Sequence, residues 1–305
     1  MSGSRTITRR TGYETYGVTS TIRLTPNDTR DFDRPVKMLT SPPMDAMLEL
    51  FEEGARAGGD LLSIESTGGK ELHDEALLYC AIRGMVFSLA LLGVRDMRFL
   101  WERIVGIAES TGRLAGGDTA CGFANTAMVL AEKQYIPRIV AAVDRVASVA
   151  RSLVALEAGA VGPDKDCGYE GPFMKAIAGV PISMEGKTAA CAHLSPVGNV
   201  ASACRDLWSN ESVTNIKLLS DMAPTAYLEQ LIYDTRLMNA AIETTLDLVD
   251  EAIASDRLRL PEREREWIPR IREQLATIPR DEGEFVAQMQ EELDATTVTL
   301  SEYGL

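Results

Sequence analysis

Helix patterns and short apolar runs alternate along this chain, and each run is followed by a polar loop that contains glycine. Apolar residues recur at helical spacing over 44–55, 97–108 and 136–146. The runs between and after these stripes are typical of strands buried on both faces of a parallel sheet: Asp60–Ile64, Arg113–Ala115, Ser152–Leu156 and Pro181–Met184. The alternation therefore predicts an α/β fold built from repeated helix–strand units.

The loops also bear on which α/β fold this is. No G-x-G-x-x-G sequence opens a helix after a predicted strand, which favours a (β/α) barrel over an open dinucleotide-binding sheet. We assign residues 1–222 to the barrel. Residues 223–305 carry mostly helical patterns and are assigned to an extension packed on the barrel within a single domain. The charged run Pro261–Glu266 fits the solvated face of a helix in that extension.

Charge and hydropathy exclude several classes of protein. The 305 residues carry a formal net charge of −14, and no run of lysine and arginine follows a helix face, so we expect no nucleic-acid binding. The most apolar stretch, 76–94, contains Arg83 and Gly84, and we expect a buried helix there rather than a membrane span. No apolar signal core follows the arginines of the first ten residues, which predicts a cytoplasmic protein.

Five cysteines are spread along the chain, and in a cytoplasmic protein of this length a disulfide framework is not expected. Cys80 and Cys204 lie on apolar helical patterns, which predicts packing roles. Cys167 lies in a turn-rich loop beyond a predicted strand and is a spare candidate for a metal ligand. The chain has two histidines, so a histidine-rich metal site is excluded, although His193 could orient a ligand or carry a proton.

Three further residues each follow a predicted strand, at the edge where barrel enzymes carry their chemistry: Glu65, Cys121 and Cys191. A carboxylate with two thiolates suits Zn²⁺, and three protein ligands leave a position open for substrate. Cys121 precedes a helical segment, whose N-terminus favours a thiolate. The alternative stays open, because the spacing matches no zinc-finger pattern and either cysteine could be a small core residue. A serine hydrolase has little support, since G-x-S-x-G does not occur.

Three longer motifs contain these candidate ligands: Leu61–Glu71, Gly117–Cys121 and Glu185–His193. Together they resemble the methanol:corrinoid methyltransferase family, the MtaB proteins. The resemblance extends over most of the chain, from about residue 20 to residue 243, and includes Arg151–Ala155, Lys165–Glu170 and Trp208–Ser212.

The resemblance implies a fold, a metal and a partner. Family members have a (β/α)8 TIM-type barrel with added helices, and their zinc ligands fall here on Glu65, Cys121 and Cys191. The implied reaction is transfer of the methyl group of methanol to cob(I)alamin, a cobalamin cofactor carried by a partner corrinoid protein. A homodimeric core is implied as well.

Several acidic residues and one histidine lie in the same predicted strand-end loops as the ligands. We expect catalytic or proton-handling roles for Asp118, Asp166 and His193, and Glu157 is a further candidate. Their individual roles stay open at this stage.

The chain departs from the family pattern at both ends. It begins near the family's second barrel strand, and its C-terminal helical region is shorter, so we expect a barrel that is incomplete at the N-terminus. Two alternatives therefore accompany the methanol reaction. One is a related corrinoid methyltransferase with another methyl donor, which a screen of donors would reveal. The other is a truncated paralogue that binds the corrinoid partner without zinc-dependent turnover.

Overall fold

The computed structural model describes residues 14, 15, 17, 21–32, 36–118, 120–166, 170, 174, 177–180, 182–184, 262–293 and 299–305. Its strands are β1 (Arg23–Leu24), β2 (Leu61–Leu62), β3 (Leu114–Ala115), β4 (Asp164–Asp166) and β5 (Ile182–Met184). Its helices are α1 (Pro42–Arg56), α2 (Lys70–Leu78), α3 (Ile82–Phe87), α4 (Gly93–Thr111), α5 (Cys121–Glu132), α6 (Arg138–Ala147), α7 (Val149–Glu157), α8 (Glu262–Ala276) and α9 (Glu282–Glu292).

The described strands are parallel to their neighbours. The first three form one sheet in the order β1-β2-β3, with Leu61 opposite both Arg23 and Leu114. Strands β4 and β5 form a second parallel pair, and Val161, just before β4, donates its N–H to Ala115 at the end of β3 over 2.8 Å. Parallel pairing brings the carboxyl ends of β1, β2 and β3 to one edge, and three of the four predicted strands are confirmed in shorter form.

The predicted amphipathic helices are confirmed where their boundaries are marked in the sequence. Ser41 caps α1 by accepting the N–H of Met44 over 3.3 Å, and Pro42 occupies the first turn, where a missing N–H has no cost. One face of α1 is buried through Met44, Met47, Phe51 and Ala55. The stripe at 97–108 lies in α4, which ends at Thr111 and has Gly112 as its C-cap.

Two predictions of local structure are wrong. The run Ser152–Leu156 lies inside helix α7 rather than forming a strand. A five-residue apolar run fits either element, and here Val154 and Ala155 turn to the core against α4. The stretch 76–94 is also more than one helix, because α2 ends at Leu78, Cys80 has a φ of 51° and α3 begins at Ile82. Cys80 therefore lies in a turn rather than within a helix, although its side chain is buried in the core as predicted.

The core surrounds the sheet and continues into the C-terminal helices. Side chains of α1, α4 and α7 pack against β2 and β3 in one cluster, while α8 and α9 each close a further cluster against the helices between residues 70 and 147. The charged run at the start of α8 is helical but not fully solvated: Glu264 is buried and accepts the N–H groups of Arg138 and Ile139 at the start of α6. In the part of the chain that the structure describes, no helix is both long and apolar enough to span a bilayer.

Candidate functional site

The carboxyl ends of β1, β2 and β3 border a cavity. It has a volume of about 300 Å³ and is lined by the loops after these strands and by the start of α5. Glu65, Lys70 and Asp118 contribute charged groups to its wall, and the rings of Phe32 and Phe123 contribute apolar surface. Phe123 is buried, whereas Phe32 is 76% exposed. This is the edge at which parallel α/β folds carry their functional groups.

Glu65 follows β2 and turns its carboxylate towards the N-terminus of α5. Its Oε1 accepts a hydrogen bond from the backbone N–H of Gly122, the second residue of that helix. The first amides of a helix have no partner within it and carry the positive end of the helix dipole, so they stabilise a carboxylate. Glu65 is thereby held beside Cys121, which begins α5 but whose side chain lies outside the described atoms. The fold brings two of the three predicted ligand positions together.

A second carboxylate, that of Glu170, supports the same helix start from the other side. It is fully buried, and its Oε2 accepts the N–H of Ala120 over 3.1 Å and the hydroxyl of Ser152 over 2.8 Å. Its Oε1 accepts the hydroxyl of Ser148 over 2.5 Å and lies 4.0 Å from a guanidinium nitrogen of Arg145. The residues before and after Cys121 in the chain therefore both donate their N–H groups to buried or half-buried carboxylates.

Arg151 of α7 lies beneath the same loop. Its side chain is buried, its Nη2 donates to the backbone oxygen of Ser66 over 2.5 Å, and its guanidinium carbon is 4.1 Å from the ring centre of Phe123. Burial lowers the pKa of Arg151, and the carboxylate of Glu65 is the strongest influence in the opposite direction. A guanidinium is protonated throughout the physiological pH range, so Arg151 contributes a positive charge at this position.

A buried ion cluster also fixes the loop Ser66–Gly69. Arg30 donates to Asp28 and Asp96, with distances of 2.7–3.1 Å, and both aspartates in turn accept from the loop. Asp96 accepts the hydroxyl of Ser66 over 2.5 Å, and Asp28 accepts the N–H of Thr67 over 2.9 Å. Burial alone would raise the pKa of Asp28, but its contacts with Arg30 outweigh burial and lower it.

Lys70, in the cavity wall, begins a chain of charged contacts that leads into the core. Its Nζ lies 2.7 Å from both carboxylate oxygens of Asp74 and 3.2 Å from the hydroxyl of Thr126. Asp74 contacts Nδ1 of the buried His73 over 3.0 Å, and Nε2 of His73 lies 2.5 Å from Asp144. Burial by itself lowers the pKa of His73, but Asp144 and Asp74 outweigh it and the pKa is raised.

Asp118 is the one predicted proton-handling residue whose side chain lies in the described part of the chain and in the cavity wall. It is buried and accepts the hydroxyl of Ser63 over 3.0 Å. Arg23 donates to Ser63 Oγ over 3.0 Å and to the backbone oxygens of Gly117 and Pro163 over 3.2 and 2.6 Å, which ties β1 to the loops after β3 and before β4. Asp118 therefore belongs to a fixed polar wall of the cavity.

The other candidate residues have different outcomes. Asp166 ends β4, but its side chain is not described, and Cys167, Cys191, His193 and Cys204 lie outside the described residues. The prediction that Glu157 lies in a strand-end loop is wrong, because the segment before it is a helix and not a strand. Glu157 ends α7 on the surface, 2.7 Å from Arg98. Within the described residues, no three histidine, cysteine, aspartate or glutamate side chains form a metal-binding group.

Sequence reasoning missed several residues that shape this site. Lys70 and Glu170 lie in the motifs Leu61–Glu71 and Lys165–Glu170, where a polar residue in a strand-end loop was a usable signal. Arg151 and Phe123 lie inside helices, and no local pattern marks them. They are found through contacts between elements distant in sequence.

Comparisons with known proteins agree on one family. The family model of the methanol-cobalamin methyltransferase B subunit, MtaB, matches residues 4–247. A methanol–corrinoid protein co-methyltransferase of Methanosarcina barkeri (strain Fusaro / DSM 804) is 44% identical over 255 residues, which is 82% of this chain. The crystal structure of the methanol:cobalamin methyltransferase complex MtaBC from Methanosarcina barkeri contains a chain with a TM-score of 0.84 and 33% identity.

These matches differ in how much of each protein they cover. The chain spans 55% of the length of the curated relative, and its structural match covers 100% of this chain and 78% of the solved one. The family model nevertheless extends over most of the 305 residues. The chain belongs to the family of methanol-cobalamin methyltransferase B subunits.

Proposed function

We propose that this protein transfers the methyl group of methanol to the cob(I)alamin of a partner corrinoid protein, with zinc held by Glu65, Cys121 and Cys191. The observation that carries the proposal is the position of the Glu65 carboxylate, which accepts the N–H of Gly122 directly after Cys121 in the wall of a cavity of about 300 Å³. The family and the names of the relatives supply the substrate and the cofactor.

The donor set suits zinc. Zn²⁺ accepts carboxylate oxygen and thiolate sulfur, and three protein ligands leave a position open for methanol. When bound, the metal would polarise the C–O bond of methanol as a Lewis acid. This polarisation is needed because hydroxide is a poor leaving group. The cavity wall offers Glu65 for this role, and its hydrogen bond with Gly122 limits the directions in which the carboxylate can turn.

Other residues of the chain would contribute to binding and to proton handling. The N-terminus of α5 favours the thiolate form of Cys121, and the rings of Phe32 and Phe123 add apolar surface to the cavity wall. The oxygen that leaves methanol needs a proton. We assign the handling of that proton to Asp118, Asp166 and His193, of which Asp118 borders the cavity.

The larger architecture is part of the proposal. We infer a TIM-type barrel over residues 1–222 with a helical extension over 223–305, supported by the parallel strands and by the likeness to the solved MtaBC chain. A corrinoid protein would dock over the strand-end cavity, where the exposed ring of Phe32 borders the opening. We also propose that the protein forms a homodimeric core and is cytoplasmic.

Zinc content and turnover together test the proposal. Zinc per chain is measured by elemental analysis for the wild type and for Glu65→Gln, Cys121→Ala and Cys191→Ala, and methylation of cob(I)alamin from methanol is followed by absorbance. We expect about one zinc in the wild type and loss of zinc with activity in the three variants. Cys80→Ala is the matched control. Because Cys80 is buried in the core, its replacement should leave zinc content and turnover unchanged.

The alternative outcomes separate the remaining hypotheses. Full zinc content in all three variants would refute the ligand set. Zinc without turnover of methanol would point to another methyl donor, to be found by a donor screen, or to a paralogue that binds the corrinoid partner without transferring methyl groups.

A further inference from the structure

Arg151 is a buried cation whose hydrogen bonding is sparse for its position. Its Nη2 donates to the backbone oxygen of Ser66, and its Nη1 is buried with no hydrogen-bond partner among the described residues. Arg30, which is buried to the same degree, instead donates to two aspartates and a backbone oxygen. Removing a guanidinium from water is unfavourable unless charges and hydrogen bonds compensate it, so the position of Arg151 needs a compensating interaction.

The charges around Arg151 supply that compensation, and they are the charges of the site. Burial lowers the pKa of Arg151, and the nearby carboxylates of Glu65, Asp96 and Glu170 oppose that shift. Glu65 and Glu170 are the two carboxylates that accept the N–H groups on either side of Cys121, and Asp96 holds Ser66. Arg151 is therefore a positive charge near each of the carboxylates that fix the Glu65 loop and the start of α5.

Its contacts also join the two elements that carry proposed ligands. The bond to Ser66 reaches the residue next to Glu65, and the guanidinium lies 4.1 Å from the ring centre of Phe123, two residues after Cys121 in α5. A planar guanidinium can donate along its edge and stack through its face at the same time, which an ammonium group cannot do. One side chain from a third element thus contacts both the loop after β2 and helix α5.

We propose that Arg151 is a positioning residue for the metal centre, which holds the Glu65 carboxylate against the start of α5 and offsets the negative charge of a carboxylate and two thiolates. This inference rests on the proposed function, because it assumes that Glu65 and Cys121 bind zinc. Partners that orient metal ligands without touching the metal typically contribute 10- to 100-fold to metal affinity.

The test measures metal binding apart from turnover. Zinc affinity is determined by competition with a chromophoric chelator, and the site is also loaded with Co²⁺ to record its ligand-field spectrum. We expect Arg151→Met to weaken zinc binding by about 10- to 100-fold and to shift the Co²⁺ bands. Arg151→Lys keeps the charge but not the combined edge and face contacts, so it should restore part of the affinity.

Two controls separate positioning from a general loss of stability. Arg103→Met removes an exposed arginine that stacks at 3.3 Å on the ring of Phe99, away from the cavity, and should leave zinc affinity unchanged. Trp101→Phe creates a defect in the core between α1, α4 and α7, and should lower thermal stability without changing zinc affinity.

The outcomes distinguish this inference from the proposed function. Wild-type affinity and an unshifted Co²⁺ spectrum in Arg151→Lys and Arg151→Met, alongside lost zinc in Glu65→Gln, would overturn the role of Arg151 and leave the zinc site intact. If Arg151→Met does not fold, Arg151→Lys decides alone, and an unchanged affinity there overturns the inference. A wild-type protein that binds no zinc would overturn both.

Discussion

At the scale of single residues, the site is a set of buried charges that compensate one another. Arg30 is held between Asp28 and Asp96, and Glu170 accepts from two hydroxyls and a backbone amide. Breaking a buried pair from one side leaves an uncompensated charge, which costs more than the pair contributes. The loop that carries Glu65 is therefore fixed mainly by polar contacts, and its geometry is sensitive to single substitutions.

The pair of His73 and Asp144 predicts a pH dependence of stability. The pKa of His73 is raised in the folded chain, since Asp144 and Asp74 outweigh the effect of burial. A raised pKa means that the folded state binds the proton more tightly than the unfolded state. This contribution is complete below the ordinary histidine pKa of about 6.5 and is lost as the pH rises through the raised value.

We therefore expect the free energy of unfolding of the wild type to fall as the pH is increased above about 6.5. His73→Gln should lack this pH-dependent part of the free energy of unfolding. It should keep the parts that come from Lys70 and Asp74, which belong to the same cluster. Denaturant unfolding at a series of pH values measures both slopes. Identical slopes for the two proteins would show that the pKa of His73 is the same in the folded and unfolded states, which would contradict the raised pKa.

At the scale of elements, helix boundaries set the geometry of the strand-end loops. The C-cap of α4 is Gly112, whose φ of 65° lets the chain reverse directly into β3. Helix α2 begins after Gly69, where an added Cβ would lie 2.5 Å from the backbone oxygen of Ser88. Short connections of this kind restrict the backbone conformations of the loops, so the side chains of each loop lie at defined positions in the cavity wall.

Two glycines of the same region give a matched prediction. Gly112 and Gly106 both have no atom within 4 Å of an added Cβ, but only Gly112 has a positive φ. Gly112→Ala should destabilise the protein by about 1–2 kcal/mol through left-handed strain. Gly106→Ala, inside α4, should stabilise it by about 0.5–1 kcal/mol. Chemical denaturation of the two variants tests the assignment, which fails if both shift stability in the same direction.

At the scale of the whole molecule, the C-terminal segment returns to the site. The ring of Phe285 in α9 packs edge-on against Phe87 with 5.2 Å between ring centres, and Arg95 contacts Glu282. Beyond α9, the hydroxyl oxygen of Tyr303 accepts the N–H of Gly69 over 2.9 Å across 234 positions in the sequence. The end of the chain thereby supports the loop that begins at Glu65.

We expect Tyr303→Phe to destabilise the protein by about 1–3 kcal/mol, because the buried N–H of Gly69 loses its acceptor. The same variant should speed hydrogen exchange at the Gly69 amide, measured by mass spectrometry on peptides of the 61–71 region. Tyr135→Phe serves as a control, since Tyr135 is 70% exposed and its loss should change stability by less than about 0.5 kcal/mol. Unchanged exchange at Gly69 in Tyr303→Phe would contradict this role.

The sequence by itself determined the features that depend on local chemistry. Pro42 marked the start of α1, Gly112 marked the end of α4, and short apolar runs marked β2 and β3. Because the strands are parallel, the same pattern also put Glu65 and Cys121 at one edge. Their binding of zinc stays a prediction.

Only the tertiary structure decided the features that depend on packing between distant segments. The run Ser152–Leu156 fits a strand or a helix equally well by periodicity, and its burial against α4 makes it helical. The roles of Arg151 and Glu170 arise from contacts with residues 85 and 50 positions away. No local pattern records such contacts, because they exist only once the hydrophobic core has brought the helices and the sheet together.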